Sequence, residues 1–201
     1  LKLIEARFVT SAAGAEGIPR DGVPHVALVG RSNVGKSSLI NALAKMRLAR
    51  TSAAAGKTRL ANLYRFEMDG GPGGPGHWSV YLADLPGYGY ARGGQESVAE
   101  LQRIAEGYFS FEGIVGVLHL VDARHPGLTS DLDAAEWLTT LNVQTTTVAT
   151  KVDKLSHSER TRNLKALERQ LGTAVTPTAV VNGEGLDDLW TLIARLSRHR
   201  P

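Results

Sequence analysis

The chain has 201 residues, 42% hydrophobic and 21% charged, no cysteine and a formal net charge of +3. This length can bury a sizeable core, and the balance excludes a disordered tail, a collagen-like repeat and a coiled coil. A disulfide scaffold and a thiolate metal site are excluded, no apolar stretch approaches the roughly 18 residues of a membrane span, and Lys2, Glu5 and Arg7 break any signal-peptide core.

Residues 1–23 read as an N-terminal extension that adds a strand or lies across the domain. Pro24 to Val29 is a short β-branched run that stops at Gly30, the pattern of a buried strand. From Lys36 the period changes, and Leu39, Ile40, Leu43 and Met46 share one helical face. Arg47 to Lys57 carries no apolar period and reads as a mobile loop. Leu60 to Met68 and Trp78 to Leu85 form two strands, joined by the Gly/Pro tract Asp69 to Gly76 as a hairpin tip. Glu96 to Phe109 reads as a helix, Ile114 to Val121 as a strand and Ser130 to Leu141 as a helix. Val143 to Thr150 is a strand, Ser156 to Leu171 a charged amphipathic helix, Ala174 to Val181 a strand and Leu186 to Leu196 a final helix. This alternation predicts one α/β domain over residues 24–201, with a mostly parallel sheet of about six strands and helices on both faces.

Three segments carry chemistry. Gly30-Arg31-Ser32-Asn33-Val34-Gly35-Lys36-Ser37 matches G-x-x-x-x-G-K-[ST] between a strand and a helix. Its glycines let successive N–H groups face a phosphate. Lys36 adds charge to the outer phosphates, and Ser37 offers a hydroxyl to Mg2+. Asp84-Leu85-Pro86-Gly87 ends a strand, where the carboxylate can hold Mg2+ through water and the Gly87 N–H can meet a γ-phosphate. Thr150-Lys151-Val152-Asp153 ends another strand. Its carboxylate can accept from the N1–H and N2–H2 edge of guanine, a donor pair that adenine lacks, while the Lys151 stem covers the base.

The run GRSNVGKSSLINAL followed by GKTR, DLPGYGYA and TKVDK resembles the EngB (YihA/YsxC) family of bacterial ribosome-biogenesis GTPases, from about Phe8 to the last helix. The resemblance implies a Ras-like P-loop GTPase fold and a GTP- and GDP-binding enzyme that hydrolyses slowly with Mg2+. It implies a role in assembly of the large ribosomal subunit, and through it in growth and cell division, and a cytoplasmic monomer without membrane attachment. It places Ser38 with the phosphate loop and extends the nucleotide site to Gly56, Lys57, Thr58, Arg59 and Leu60. Ser37 and Thr58 would be the metal ligands, with Asp84 acting through water. Lys36, Thr58 and Gly87 are the candidate catalytic residues. Thr178, Ala179 and Val180 align with a serine-rich base-binding segment of the family, two hydroxyls being replaced. Thr150 stands where most GTPases have Asn.

Tyr88 occupies the position of the water-orienting glutamine of Ras-type enzymes, so the expected intrinsic rate is at or below about 10⁻⁴ s⁻¹. A partner, or a K+ ion near Asn33, is the expected activator. Between Gly22 and Phe66 there is no acidic residue but eight basic ones, including Arg31, Arg47, Arg50, Arg59 and Arg65. Arg47, Arg50, Arg59 and Arg65 of this block, with Tyr88, Tyr90 and Arg92, form the expected rRNA-binding surface. Two other readings stay open: a ribosome- or rRNA-binding module that uses GTP only to set its shape, and a P-loop ATPase or kinase. The six histidines show no metal-binding spacing, and no serine sits in a G-x-S-x-G elbow.

Overall fold

The six residues of β2 (His25–Gly30) are all buried. They must be, because β2 lies between two parallel neighbours, β4 (His77–Asp84) and β5 (Ile114–Asp122), with helices over both sheet faces. The computed structural model describes residues 1–49, 60–70, 76–88 and 105–198. Its sheet has seven strands in the order β1-β3-β4-β2-β5-β6-β7, where β1 is Lys2–Ala12, β3 Ala61–Asp69, β6 Thr145–Thr150 and β7 Val175–Pro177. The seventh strand is β1, which pairs antiparallel with β3 and carries irregularities after Leu3 and after Phe8. β3 and β4 are antiparallel; β4, β2, β5, β6 and β7 run parallel.

Among the described residues the α-helices with defined ends are α1 (Lys36–Ala44), α2 (Thr129–Thr139), α3 (His157–Leu171) and α4 (Leu186–Arg198). α1 starts after Gly35, whose φ of 119° is open to glycine, and ends at Lys45 in the left-handed region. Met46 therefore falls outside the helix and is exposed. α3 is fixed at its start by a capping box between Ser156 and Glu159, and at its end by Gly172 at φ 65°. Leu39, Ile40, Leu43, Trp190 and Ile193 bury one face of the sheet, while Tyr108, Ala134 and Leu138 bury the other. Burying each such large side chain contributes about 1.5–3 kcal/mol.

Some sequence expectations need correction. β7 is far shorter than Ala174 to Val181. Thr178 N still donates to Ala149 O, but the chain then turns, and Ala179 pairs with Glu184 instead of continuing along β6. The start of the expected mobile loop is pinned, since Asn41 Oδ1 accepts from the N–H groups of Leu48 and Ala49 at 2.8 and 2.6 Å. The rest of that loop, the hairpin tip over 71–75 and most of the helix expected over 96–109 lie outside the described residues. Residues 105–109 are helical. Among the described residues, no helix is long and apolar enough to cross a membrane.

Candidate functional site

The segments singled out in the sequence converge at one end of the sheet. Gly30–Ser37 follows β2, Asp84–Gly87 follows β4, Thr150–Asp153 follows β6 and Thr178–Val180 follows β7. Ligands of open parallel sheets bind beyond the carboxyl ends of the strands, where these loops gather.

Lys36 is the first residue of α1 and is nearly fully buried. Its Nζ donates to Gly30 O at 3.1 Å and Arg31 O at 3.4 Å, so the phosphate loop curls around its own ammonium. Burial lowers its pKa, and the nearby Asp84 carboxylate opposes that shift. Burial likewise raises Asp84, against Lys36 and a hydrogen bond from Ser37. Ser37 Oγ donates to Asp84 Oδ2 at 2.8 Å. Two hard oxygen donors from separate loops thus meet beside a buried cation. Such a donor pair suits Mg2+, which takes few protein ligands and completes its shell with phosphate and water. Among the described residues, no group of three or more His, Asp or Glu could itself hold a metal.

Gly87 lies directly on the phosphate loop. A Cβ there would sit 2.7 Å from Ser32 N, so only glycine permits this approach. Ser32 N donates to Tyr88 O at 2.9 Å across a parallel bridge between Arg31 and Tyr88.

The third segment is tied to the first. Thr150 Oγ1 lies 2.8 Å from Val34 O and 3.2 Å from Val121 O. Lys151, at φ 61°, sends Nζ to Asn33 O at 2.7 Å and to Asp122 Oδ2 at 2.9 Å. Its stem thereby spans from β6 to the phosphate loop. Asp153 is the middle residue of the short turn Val152–Lys154 after β6 and pairs with Lys154 at 3.1 Å. Thr178 and Ala179 are buried and use their N–H groups within the fold, on Ala149 O and Glu184 O, whereas Val180 is exposed.

A phosphate loop, an Asp-x-x-Gly turn and a Lys-x-Asp turn on three strand ends form the frame of a guanine-nucleotide site. A protein-family model described as a 50S ribosome-binding GTPase matches residues 25–151. The probable GTP-binding protein EngB of Symbiobacterium thermophilum is 38% identical over 94% of this chain and 94% of its own length. Its counterpart in Anaeromyxobacter sp. is 37% identical over 100% of this chain and 95% of its own. The chain belongs to the EngB family. It is a GTP-binding GTPase, hence an enzyme.

The fold agrees. A crystal structure of a probable EngB GTP-binding protein superposes with a TM-score of 0.60 at 20% identity, over 87% of this chain and 98% of that one. Era in complex with MgGDPNP and a segment of 16S ribosomal RNA superposes at 0.67 and 23% identity, over 87% of this chain and 56% of that one.

Other features were not visible in the motifs. Asp122, at the end of β5, binds both Lys151 and Arg124, the latter at 2.8 Å. Burial works against its charge, but these hydrogen bonds outweigh it and hold the carboxyl well below the usual range. Tyr88 is not a surface aromatic: it is 2% exposed, with its hydroxyl 2.9 Å from both His119 Nε2 and Asp131 Oδ1. The basic block is also partly neutralised. Arg65 pairs with Asp21 at 2.8 Å and Glu67 at 3.2 Å, and Arg31 lies 3.6 Å from Asp131. Arg47 is exposed, as is Leu60. Arg50, Gly56, Lys57, Thr58, Arg59 and Arg92 lie outside the described residues.

Proposed function

We propose that this GTPase is a Mg2+-dependent switch that acts in assembly of the large ribosomal subunit in the cytoplasm, binding the subunit or its precursors through rRNA. The observation that carries this reading is the Ser37–Asp84 contact beside buried Lys36, which joins the phosphate loop to the Asp-x-x-Gly turn. A γ-phosphate and its metal would be sensed by both. The description of the matching family and the RNA in the Era complex support the ribosomal part.

In this reading the N–H groups of Gly30–Ser38 and the Lys36 ammonium hold the phosphates. Ser37 and Thr58 would hold Mg2+, with Asp84 acting through water. Bound there, the metal would neutralise charge developing between the β- and γ-phosphates. The N–H of Gly87 would meet the γ-phosphate, as would Thr58 of the Gly56–Leu60 segment. Lys151 covers the base, Asp153 accepts from its N1–H and N2–H2 edge, and the N–H of Val180 meets O6. A K+ ion beside exposed Asn33 is the proposed activator, and equal hydrolysis rates in K+ and Na+ buffers would remove it.

The test is co-sedimentation of the protein with ribosomal subunits in GTP-analogue and GDP states. Binding to the large subunit only with the triphosphate is expected; equal binding in both states, or none, defeats the proposal. One observation favours the second reading, a module that uses GTP only to set its shape: residue 88, where a water-orienting side chain would stand, is turned into the core. Single-turnover hydrolysis with and without subunits separates the two.

A further inference from the structure

His119 and Asp131 belong to none of the nucleotide motifs, yet both are buried and both reach Tyr88. His119 comes from β5 and is 0% exposed; Asp131 comes from the first turn of α2 and is 4% exposed. The Tyr88 hydroxyl has one proton, which it donates to Asp131 Oδ1. His119 then carries its proton on Nε2 and donates to the tyrosine oxygen, a tautomer assigned from the network. Burial pushes the Tyr88 hydroxyl well above its ordinary range, which keeps it a donor. Burial also raises Asp131 to about 6, against Tyr88 and Arg31, so it is still an ionised acceptor at neutral pH.

The other end of Tyr88 is its main chain. Its carbonyl takes the N–H of Ser32, and the preceding Gly87 is pressed on the phosphate loop too closely for a Cβ. Asp131 also lies 3.6 Å from Arg31 Nε, the phosphate-loop residue that bridges to Tyr88. One side chain thus anchors the residue after the Asp-x-x-Gly turn to β5 and α2, and the same carboxylate faces the phosphate loop. A tyrosine in an open turn gains nothing from two buried polar partners. Here they fix the backbone position of its neighbour.

We propose that Tyr88, held by Asp131 and His119, is a positioning residue that fixes the Gly87 N–H at the phosphate loop and so sets the preference for triphosphate over diphosphate. The proposal rests on the GTP-switch reading above. A diphosphate has no γ-oxygen for Gly87 to meet, so loosening Gly87 weakens GTP and spares GDP. Loss of packing in the core would weaken both.

The test measures affinity of the full chain for GDP and for a non-hydrolysable GTP analogue, each with Mg2+, beside thermal melts. Tyr88→Phe keeps the ring and removes the hydroxyl. It should weaken the GTP analogue about tenfold, the scale of one hydrogen bond to a charged group, and leave GDP within about twofold. Asp131→Leu should give the same pattern by removing the acceptor, and it carries the test should Tyr88→Phe fail to fold. Asp131→Asn keeps an acceptor for the tyrosine and should restore most of the preference. An unchanged ratio in Tyr88→Phe, or an equal loss for both nucleotides, overturns the positioning role while leaving the GTP-switch reading intact. Failure of the wild-type chain to bind either nucleotide overturns both.

Discussion

Thr150 Oγ1 lies 2.8 Å from the main-chain oxygen of Val34, a bond between residues 116 apart that ties the Thr150–Asp153 segment to the phosphate loop. Both partners are buried, so the bond cannot be replaced by water at little cost. The threonine keeps this tether where most GTPases have asparagine. Thr150→Val preserves shape and removes the donor, leaving the Val34 carbonyl unpaired. The expected cost is about 1–3 kcal/mol of stability, read by denaturant unfolding, together with weaker GDP binding. A wild-type unfolding midpoint in this variant would show that the bond contributes nothing.

The phosphate loop was legible because its spacing is local and its strand and helix adjoin it. The partner of Thr150 was not, since no short pattern links residues so far apart. Tyr88 was misread for a related reason. A tyrosine beside glycines and an arginine looks amphipathic, and its burial depends on His119 and Asp131, which lie 31 and 43 residues further on. Arg65 looked unpaired because Asp21 and Glu67 fall just outside the acid-free window. β1 was hard to read because two irregularities break its alternation, and β7 was overextended because β-branched residues continue past Pro177.

Guanine choice gives a second test. If Asp153 reads the N1–H and N2–H2 edge, Asp153→Asn should weaken GTP by about 2–4 kcal/mol and favour xanthine nucleotide, which offers a carbonyl at the 2-position. Competition of the two nucleotides for a labelled guanine nucleotide measures both effects. Equal GTP affinity in wild type and variant would detach Asp153 from the base.

The proposed metal dependence is tested at the Ser37–Asp84 contact. Ser37→Ala removes one proposed ligand, so GTP affinity should lose most of its response to Mg2+, seen in titrations with and without chelator. Lys36→Ala should weaken nucleotide binding whether or not metal is present, because phosphate charge then lacks its partner. A Ser37→Ala protein with the full wild-type Mg2+ response would move the metal elsewhere.

Stability should fall in acid, and the sign can be worked from three buried groups. Burial lowers His25 to about 4, against the charge of Asp21 and the polar backbone of Pro19; it lowers His119 to about 4 as well, from an ordinary 6.5. The unfolded chain therefore binds more protons than the native one below pH 6.5. The stability each contributes is complete above that pH and is lost as pH falls toward 4, about 3 kcal/mol apiece. Asp131, raised by burial to about 6, acts in the opposite sense: the native state takes up its proton first, which offsets part of the loss between pH 6 and 4. Thermal melts from pH 7 to 4 should show a net decline, and His25→Gln should make that decline shallower. A melting temperature independent of pH over this range would mean that these histidines are open to solvent.

The docking surface is narrower than the sequence suggested. Arg65 is engaged by Asp21 and Glu67 within the fold, and Tyr88 is buried, so its ring does not face a partner for stacking. What remains of the basic block outside the nucleotide motifs is exposed Lys45 and Arg47, with Arg50 beyond them in sequence. If these three contact rRNA phosphates, each contact releases counterions, and subunit binding weakens steeply with salt. Reversing all three to Glu should abolish co-sedimentation with the large subunit. Nucleotide affinity should change little, because Lys36, Ser37 and Asp153 are untouched. Arg65→Glu is the contrasting variant: it places a third carboxylate beside Asp21 and Glu67, so it should lower the melting temperature without a specific loss of subunit binding. A triple variant that sediments with the subunit at wild-type occupancy across a salt series would show that the ribosome is held by another face.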